Sequence, residues 1–314
     1  MKRIRKPVHG VYLLDKPLGL SSNGAVQKVK WLFAAEKAGH TGTLDPLARG
    51  LLPVLLGEAT KFSQGLLDAD KTYEAVVQLG VQTTTGDLEG EVLNRHAVDV
   101  TVAGFAEKLR QTEAQFTGHL QQTPPMFSAL KHEGRPLYEY ARAGITIDRL
   151  ARAVEIKNLD LDICTEPEFV NCIKLIAKVS KGTYIRTLAE DIGLALGCGG
   201  SLLSLRRTAI SGNFGCFDIA DAHQVNEEDA AGEELDGNME DLLPCDVMLQ
   251  HLPVITLNAE AEILVCNGGR LNLIAAGWTG GDAEQMRMQS ETGAFLGLAS
   301  GLNNKLQPLR LAKF

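Results

Sequence analysis

The stretch His40-Thr41-Gly42-Thr43-Leu44-Asp45-Pro46-Leu47-Ala48-Arg49-Gly50 concentrates reactive side chains. It holds one carboxylate, one imidazole, two threonine hydroxyls and two glycines. Pro46 restricts Asp45 to extended backbone, which predicts a turn there and not a helix. A carboxylate fixed on a rigid turn can act as a nucleophile or a general base. Asp-Pro is also ordinary turn chemistry, so the dipeptide alone does not choose between these readings. Lys16, Lys131 and Arg135 are candidate phosphate contacts, and solvated surface is the plainer alternative for each.

The elements that must position these residues follow from hydrophobic spacing. Val11 to Leu14 reads as a short strand, closed by Asp15-Lys16-Pro17-Leu18-Gly19. Ser22 is expected to cap a helix whose apolar stripe is Val26, Val29, Leu32 and Phe33. Leu51 to Leu56 predicts a buried strand, and Glu58 to Leu67 a helix. Tyr73, Ala75, Val77 and Leu79 share one face of an alternating strand. Thr83 to Asp87 is a polar loop, and Thr101 to Phe116 a helix with Val102, Phe105 and Leu109 inward. Prolines 124 and 125 stiffen the next loop. Pro136 suits the first turn of a helix through Ala143, and Gly144 suits its C′ position. Ile173, Leu175, Ala177 and Val179 alternate along a further strand. Gly182-Thr183 then opens a helix with Ile185, Leu188, Ala189 and Ile192 on its apolar stripe. No repeating strand–helix period, G-x-G-x-x-G fingerprint or P-loop is present.

Composition narrows the class. The chain has 314 residues, 45% hydrophobic and 22% charged, as a globular protein would. It has no apolar run long enough for a membrane helix. The apolar stretch after the basic start is broken early, which argues against a signal peptide. Six cysteines lack metal-ligand spacing, so no zinc site is expected, and they fit reduced cytoplasmic thiols. The net charge is −8, yet Thr208 to Gly269 has no Lys or Arg and carries thirteen of the 39 acids. Elsewhere 31 basic residues meet 26 acidic ones, a net of +5 that permits a phosphate-facing surface. Asn226 to Pro244 is acidic and reads as a surface excursion or linker. A small β-rich module follows, with a short helix from Asn258 to Cys266.

Four motifs occur in the order found in the TruB family of tRNA pseudouridine synthases, and the chain resembles that family from residue 8 to 215. They are the Asp45 stretch, Leu14-Asp15-Lys16-Pro17-Leu18-Gly19-Leu20-Ser21-Ser22, Lys71-Thr72-Tyr73-Glu74-Ala75, and Ser180 to Gly193 followed by Leu205-Arg206-Arg207-Thr208. Thr84, where the family suggests an acid, and Arg49 are small departures. The resemblance implies an α+β fold: a mixed, mainly antiparallel sheet with flanking helices, plus a PUA-like C-terminal domain. It implies a catalytic domain over 1–250 and an RNA-binding domain over 251–314.

The implied reaction breaks an N-glycosidic bond in the tRNA T-loop, turns the uracil, and rejoins it through carbon at position 55. It needs no cofactor and no metal. By resemblance Asp45 is the catalytic carboxylate and Arg186 the guanidinium that keeps it ionised. Without the motif, Arg186 would equally suit a helix pair with Glu190. Tyr73 resembles the active-site tyrosine that stacks on the base and helps move a proton; pattern alone would make it a core aromatic. Tyr184 and Leu205 match pocket-lining positions, and Lys16 stays a candidate phosphate contact of the substrate. His40 matches a histidine that fills the gap left by an extruded base. The implied partner is the tRNA T-arm, acted on in the cytoplasm by a monomer without a protein partner. A binding-only protein would not need Asp45, and a glycoside hydrolase would want a second flanking carboxylate, for which only Glu190 and Asp191 are near.

Overall fold

The computed structural model describes residues 4–225 and 237–314. The chain begins with β1 (Gly10–Lys16), α1 (Ser22–Leu32), β2 (Ala38–His40), β3 (Ala48–Leu56), α2 (Gln64–Asp68) and β4 (Asp70–Leu79). A hairpin of β5 (Val81–Thr83) and β6 (Val92–Arg95) leads to α3 (Phe105–Phe116) and β7 (Gly118–Gln122). A second small hairpin, β8 (Lys131–His132) and β9 (Arg135–Pro136), precedes α4 (Leu137–Arg142) and β10 (Arg152–Ile163). Then come β11 (Cys172–Val179), α5 (Ile185–Ala195), β12 (Gly200–Gly212), β13 (Gly215–Asp218) and β14 (His223–Gln224).

These strands form a ten-stranded sheet in the order β14-β1-β3-β12-β4-β11-β10-β7, with β2 on β3 and β13 on β12. Most pairings are antiparallel; β1–β14 and β3–β12 are parallel. Period-2 spacing places Ala75, Val77, Leu175 and Ala177 on one face, against Val26 and Val29 of α1 and Leu188 and Ile192 of α5. Val11, Leu13, Leu51, Leu55 and Ile210 point the other way, onto Phe62, Leu66 and Met248. β3 is therefore covered on both faces, which explains its unbroken apolar run.

The C-terminal unit has its own sheet. It comprises β15 (Val254–Leu257), α6 (Ala259–Cys266), β16 (Leu271–Asn272), β17 (Ala283–Ser290), β18 (Phe295–Leu302) and β19 (Lys305–Leu311). The five strands run β15-β17-β18-β19-β16 around Leu257, Val265, Met286, Met288 and Leu306. The whole is the α+β architecture expected from the sequence.

Several local expectations are corrected. Ser21, not Ser22, caps α1: its Oγ accepts from Gly24 N–H at 3.1 Å, and Ser22 turns inward. Residues 57–68 split into a 3₁₀ turn, Gly57–Phe62, and the short α2. Gly104 is left-handed (φ 87°), so α3 starts only at Phe105, and Val102 lies outside its periodicity, 53% exposed. Pro136 is the N-cap of α4, while Gly144 has the left-handed backbone (φ 72°) expected of it. Residues 226–236 of the acidic segment lie outside the described residues. Its last part is no free excursion, because Leu243 exchanges two 2.9 Å backbone bonds with Val11 beside β1.

Candidate active site

The parallel junction between β3 and β12 brings the motifs together. Leu205 pairs with Ala48 and Arg207 with Gly50, so the loop entering β3 lies beside β12. Gly50 (φ 107°) sits so close to the Arg207 backbone that any side chain there would collide with it. On the other side of β12, Arg207 pairs with Tyr73 of β4, and Tyr73 pairs with Ala177 of β11. β11 ends at Val179, and the chain turns directly into α5. Asp45, Tyr73, Tyr184, Arg186 and Leu205 thereby line one cavity of about 330 Å³.

Asp45 Oδ2 lies 2.9 Å from Arg186 Nη2. The pair is asymmetric: the Asp45 side chain is 41% exposed and that of Arg186 only 7%. Buried guanidinium donors need acceptors, and Arg186 has them. Nη1 donates to the Thr85 carbonyl at 3.0 Å and Nη2 to that of Phe127 at 2.6 Å. Asp87 stands 3.7 Å from Nε. The cation is thus fixed from behind, and the carboxylate it steadies faces the cavity.

Glu190 is not the partner of Arg186. Its carboxyl lies against Gly86, where an added Cβ would come within 2.9 Å of it. Burial, with help from Asp191, pushes this acid up to about 7. Asp87 is a second carboxylate beside Arg186, and unlike Asp45 it is buried. It is 3% exposed, and it accepts from Thr85 Oγ1 and from the Glu89 amide. The polar run Thr83 to Asp87 signals a side-chain-stabilised turn, but nothing local signals its distant arginine.

The remaining expected residues divide. Tyr73 and Tyr184 are half-buried in the cavity wall, and Leu205 is buried there. Burial raises the Tyr184 hydroxyl above its ordinary range. Gln122 holds the Tyr184 backbone, accepting from its N–H at 2.8 Å and donating to its carbonyl at 3.1 Å. His40 is not in the cavity wall; it sits on β2 opposite Val54. Burial first, and then the Arg207 cation, hold its imidazole below the ordinary range, so it is neutral at physiological pH.

Lys16 is a correction. It is fully buried, and its Nζ donates to the carbonyls of Pro17 at 2.9 Å and Leu20 at 2.6 Å, so it cannot reach a phosphate. Burial lowers it to about 8 against the pull of Asp45. Lys131 and Arg135 are exposed on the β8–β9 hairpin, where Arg135 pairs with Glu139 at 2.9 Å. Lys71 and Arg207 also line the cavity, within motifs whose spacing alone assigns them no role. Lys71 Nζ donates to Leu66, Leu67 and Ala69 carbonyls, and Arg207 to those of Leu51 and Gly42.

Comparison with known proteins gives one answer. Residues 30–185 match the TruB family pseudouridylate synthase N-terminal domain, and residues 186–250 the tRNA pseudouridylate synthase B C-terminal domain. The chain is 49% identical to tRNA pseudouridine synthase B of Ralstonia pickettii, over 98% of this chain and 95% of that protein. It is 49% identical to the protein of the same name from Thiobacillus denitrificans, over 99% and 98%. Among solved structures, the crystal structure of a Cbf5–Nop10–Gar1 complex aligns with TM-score 0.65 and 25% identity, covering 97% of this chain and 84% of that one. An enzyme-like site of this geometry within that kinship leaves one conclusion: the chain belongs to the TruB family of pseudouridylate synthases and is an isomerase.

Proposed function

We propose that the protein converts the T-loop uridine at tRNA position 55 to pseudouridine, with Asp45 as the reacting carboxylate. The observation that carries this reading is the 2.9 Å ion pair between a half-open Asp45 and a buried Arg186 at the cavity wall. A target base inside a folded loop must be extruded before a carboxylate can reach it. The cavity then receives the nucleotide, with Tyr73 and Tyr184 as aromatic walls and Leu205 as an apolar one. An aromatic face holds a planar base without reading its polar edge.

The chemistry conserves every atom. The bond from ribose C1′ to uracil N1 breaks, the base turns, and a bond from C1′ to C5 forms. The proton on C5 leaves, and N1 gains one. Asp45 must be ionised either to attack or to remove a proton, and its carboxylate is held by the Arg186 guanidinium at 2.9 Å. Tyr73, which lines the same cavity, takes part in the proton movement at C5 in this scheme. His40 serves outside the cavity, as a flat neutral ring that occupies the stacking place of an extruded base. The C-terminal unit, residues 251–314, acts as a PUA-like RNA-binding domain in this scheme, with residues 1–250 as the catalytic domain.

The test is incubation of purified protein with an unmodified tRNA transcript in buffer without added cofactor, with pseudouridine mapped by nucleotide. Modification at position 55 alone is expected, and it is expected to require a folded T-arm. Modification elsewhere, or on an unstructured oligonucleotide at the same rate, would overturn the assignment.

A further inference from the structure

Asp45 lies on a loop, yet the backbone on both sides of it is hydrogen-bonded to a segment some twenty residues earlier. Ser22 Oγ accepts from the Leu44 N–H at 2.7 Å and donates to the Leu44 carbonyl at 2.8 Å. One hydroxyl therefore satisfies both polar groups of the residue before Asp45. On the other flank, the Gly19 N–H donates to the Pro46 carbonyl at 2.8 Å. The Asp45 carbonyl itself accepts from Ala48 at 3.0 Å. The segment doing the gripping is anchored by the buried Lys16 ammonium on Pro17 and Leu20.

We propose that Ser22 is a positioning residue for Asp45, its hydroxyl fixing the Leu44 peptide so that the carboxylate meets Arg186 and the substrate in one geometry. The inference rests on Asp45 being the reacting carboxylate. Ser22 is 3% exposed and is not among the residues lining the Asp45 cavity, so it acts on substrate through Asp45. The side chain begins α1, whose cap is supplied by Ser21. Its hydroxyl is thus free of helix-capping duty and committed to the loop. Without it, the Leu44 amide and carbonyl would be buried with no partner, and the loop would shift to find one. A displacement of about 1 Å at a reacting group can cost on the order of a hundredfold in rate.

The experiment is single-turnover pseudouridine formation by Ser22→Ala with enzyme in excess over tRNA, alongside tRNA affinity by filter binding. The expected result is a rate constant at least ~10-fold lower with affinity within about twofold of wild type. Thr112→Ala is the control, because it removes a buried hydroxyl from α3, bonded to Lys108 and remote from the loop. It is expected to lower the melting temperature while leaving the rate intact. Wild-type rate in folded Ser22→Ala, or an equal rate loss in Thr112→Ala, would overturn the proposal. If Ser22→Ala does not fold, Ser22→Thr against Ser22→Val makes the same comparison with matched shape; equal rates for those two would also overturn it. Failure of wild-type protein to modify position 55 would instead overturn the proposed function.

Discussion

At the scale of single residues, the site is an open carboxylate backed by a cation that cannot move. Arg186 is expected to resist substitution even by Lys, because a point charge cannot serve Asp45, Asp87 and two carbonyls at once. Arg186→Lys is expected to lose at least ~100-fold in kcat with a smaller change in KM, read by steady-state tritium release. Near-normal kcat would make the guanidinium fork dispensable. Glu190 gives a pH prediction. Its folded value of about 7 lies above its ordinary 4.5, so ionisation is disfavoured in the folded state. That acid weakens the fold progressively as pH rises from 4.5 to 7, and the loss is complete above 7. Glu190→Gln is therefore expected to gain a few degrees in melting temperature at pH 8 and nothing at pH 4. A gain that is the same at both would assign the effect to something other than this carboxyl. That Asp45, Arg186 and Tyr73 belong together was legible in the sequence because motif strings carry them, and they line one cavity. Asp87 and Ser22 were not, since their roles arise from partners distant along the chain.

Elements were legible where one period governs them. β4 and β11 alternate cleanly, and α5 shows its apolar stripe. Expectation failed where a left-handed residue or a tertiary bond overrode the pattern, as at Gly104 before α3 and at the Ser21–Ser22 pair. α2 is the element most dependent on its surroundings. It is a single short turn of helix, and its C-terminal carbonyls end on Lys71 Nζ at 3.0, 3.0 and 2.6 Å. Burial brings Lys71 down to about 8, so it remains largely charged at neutral pH. Lys71→Met is expected to leave those carbonyls without a donor and to cost roughly 2 kcal/mol, measured by urea unfolding. An unchanged midpoint would mean that water replaces the ammonium freely.

At the scale of the molecule, the five-stranded C-terminal sheet is docked on the unit built around the ten-stranded sheet. Phe295 packs edge-on against Phe62 at 5.1 Å, and Arg287 pairs with Asp246 at 2.8 Å. Lys313 N–H donates to Glu58, and Arg310 to the Lys61 carbonyl. This contact was invisible to periodicity, which sees each element alone. It lies against α2, whose carbonyls hold Lys71 in the cavity wall. Arg287→Ala is expected to leave the partly buried Asp246 carboxylate with only the Gln250 amide and to cost about 2 kcal/mol in thermal unfolding. A cost near zero would show that this ion pair does not couple the two units. The central claim is that Asp45, steadied by Arg186, performs the isomerisation in this cavity. The most direct measurement is single-turnover conversion of position 55 by Asp45→Asn, with tRNA binding measured on the same preparation. The amide keeps the shape and loses the charge, so binding is expected to stay within a few-fold of wild type and pseudouridine to stay undetectable at long times. Substantial pseudouridine at position 55 from that variant would contradict the account.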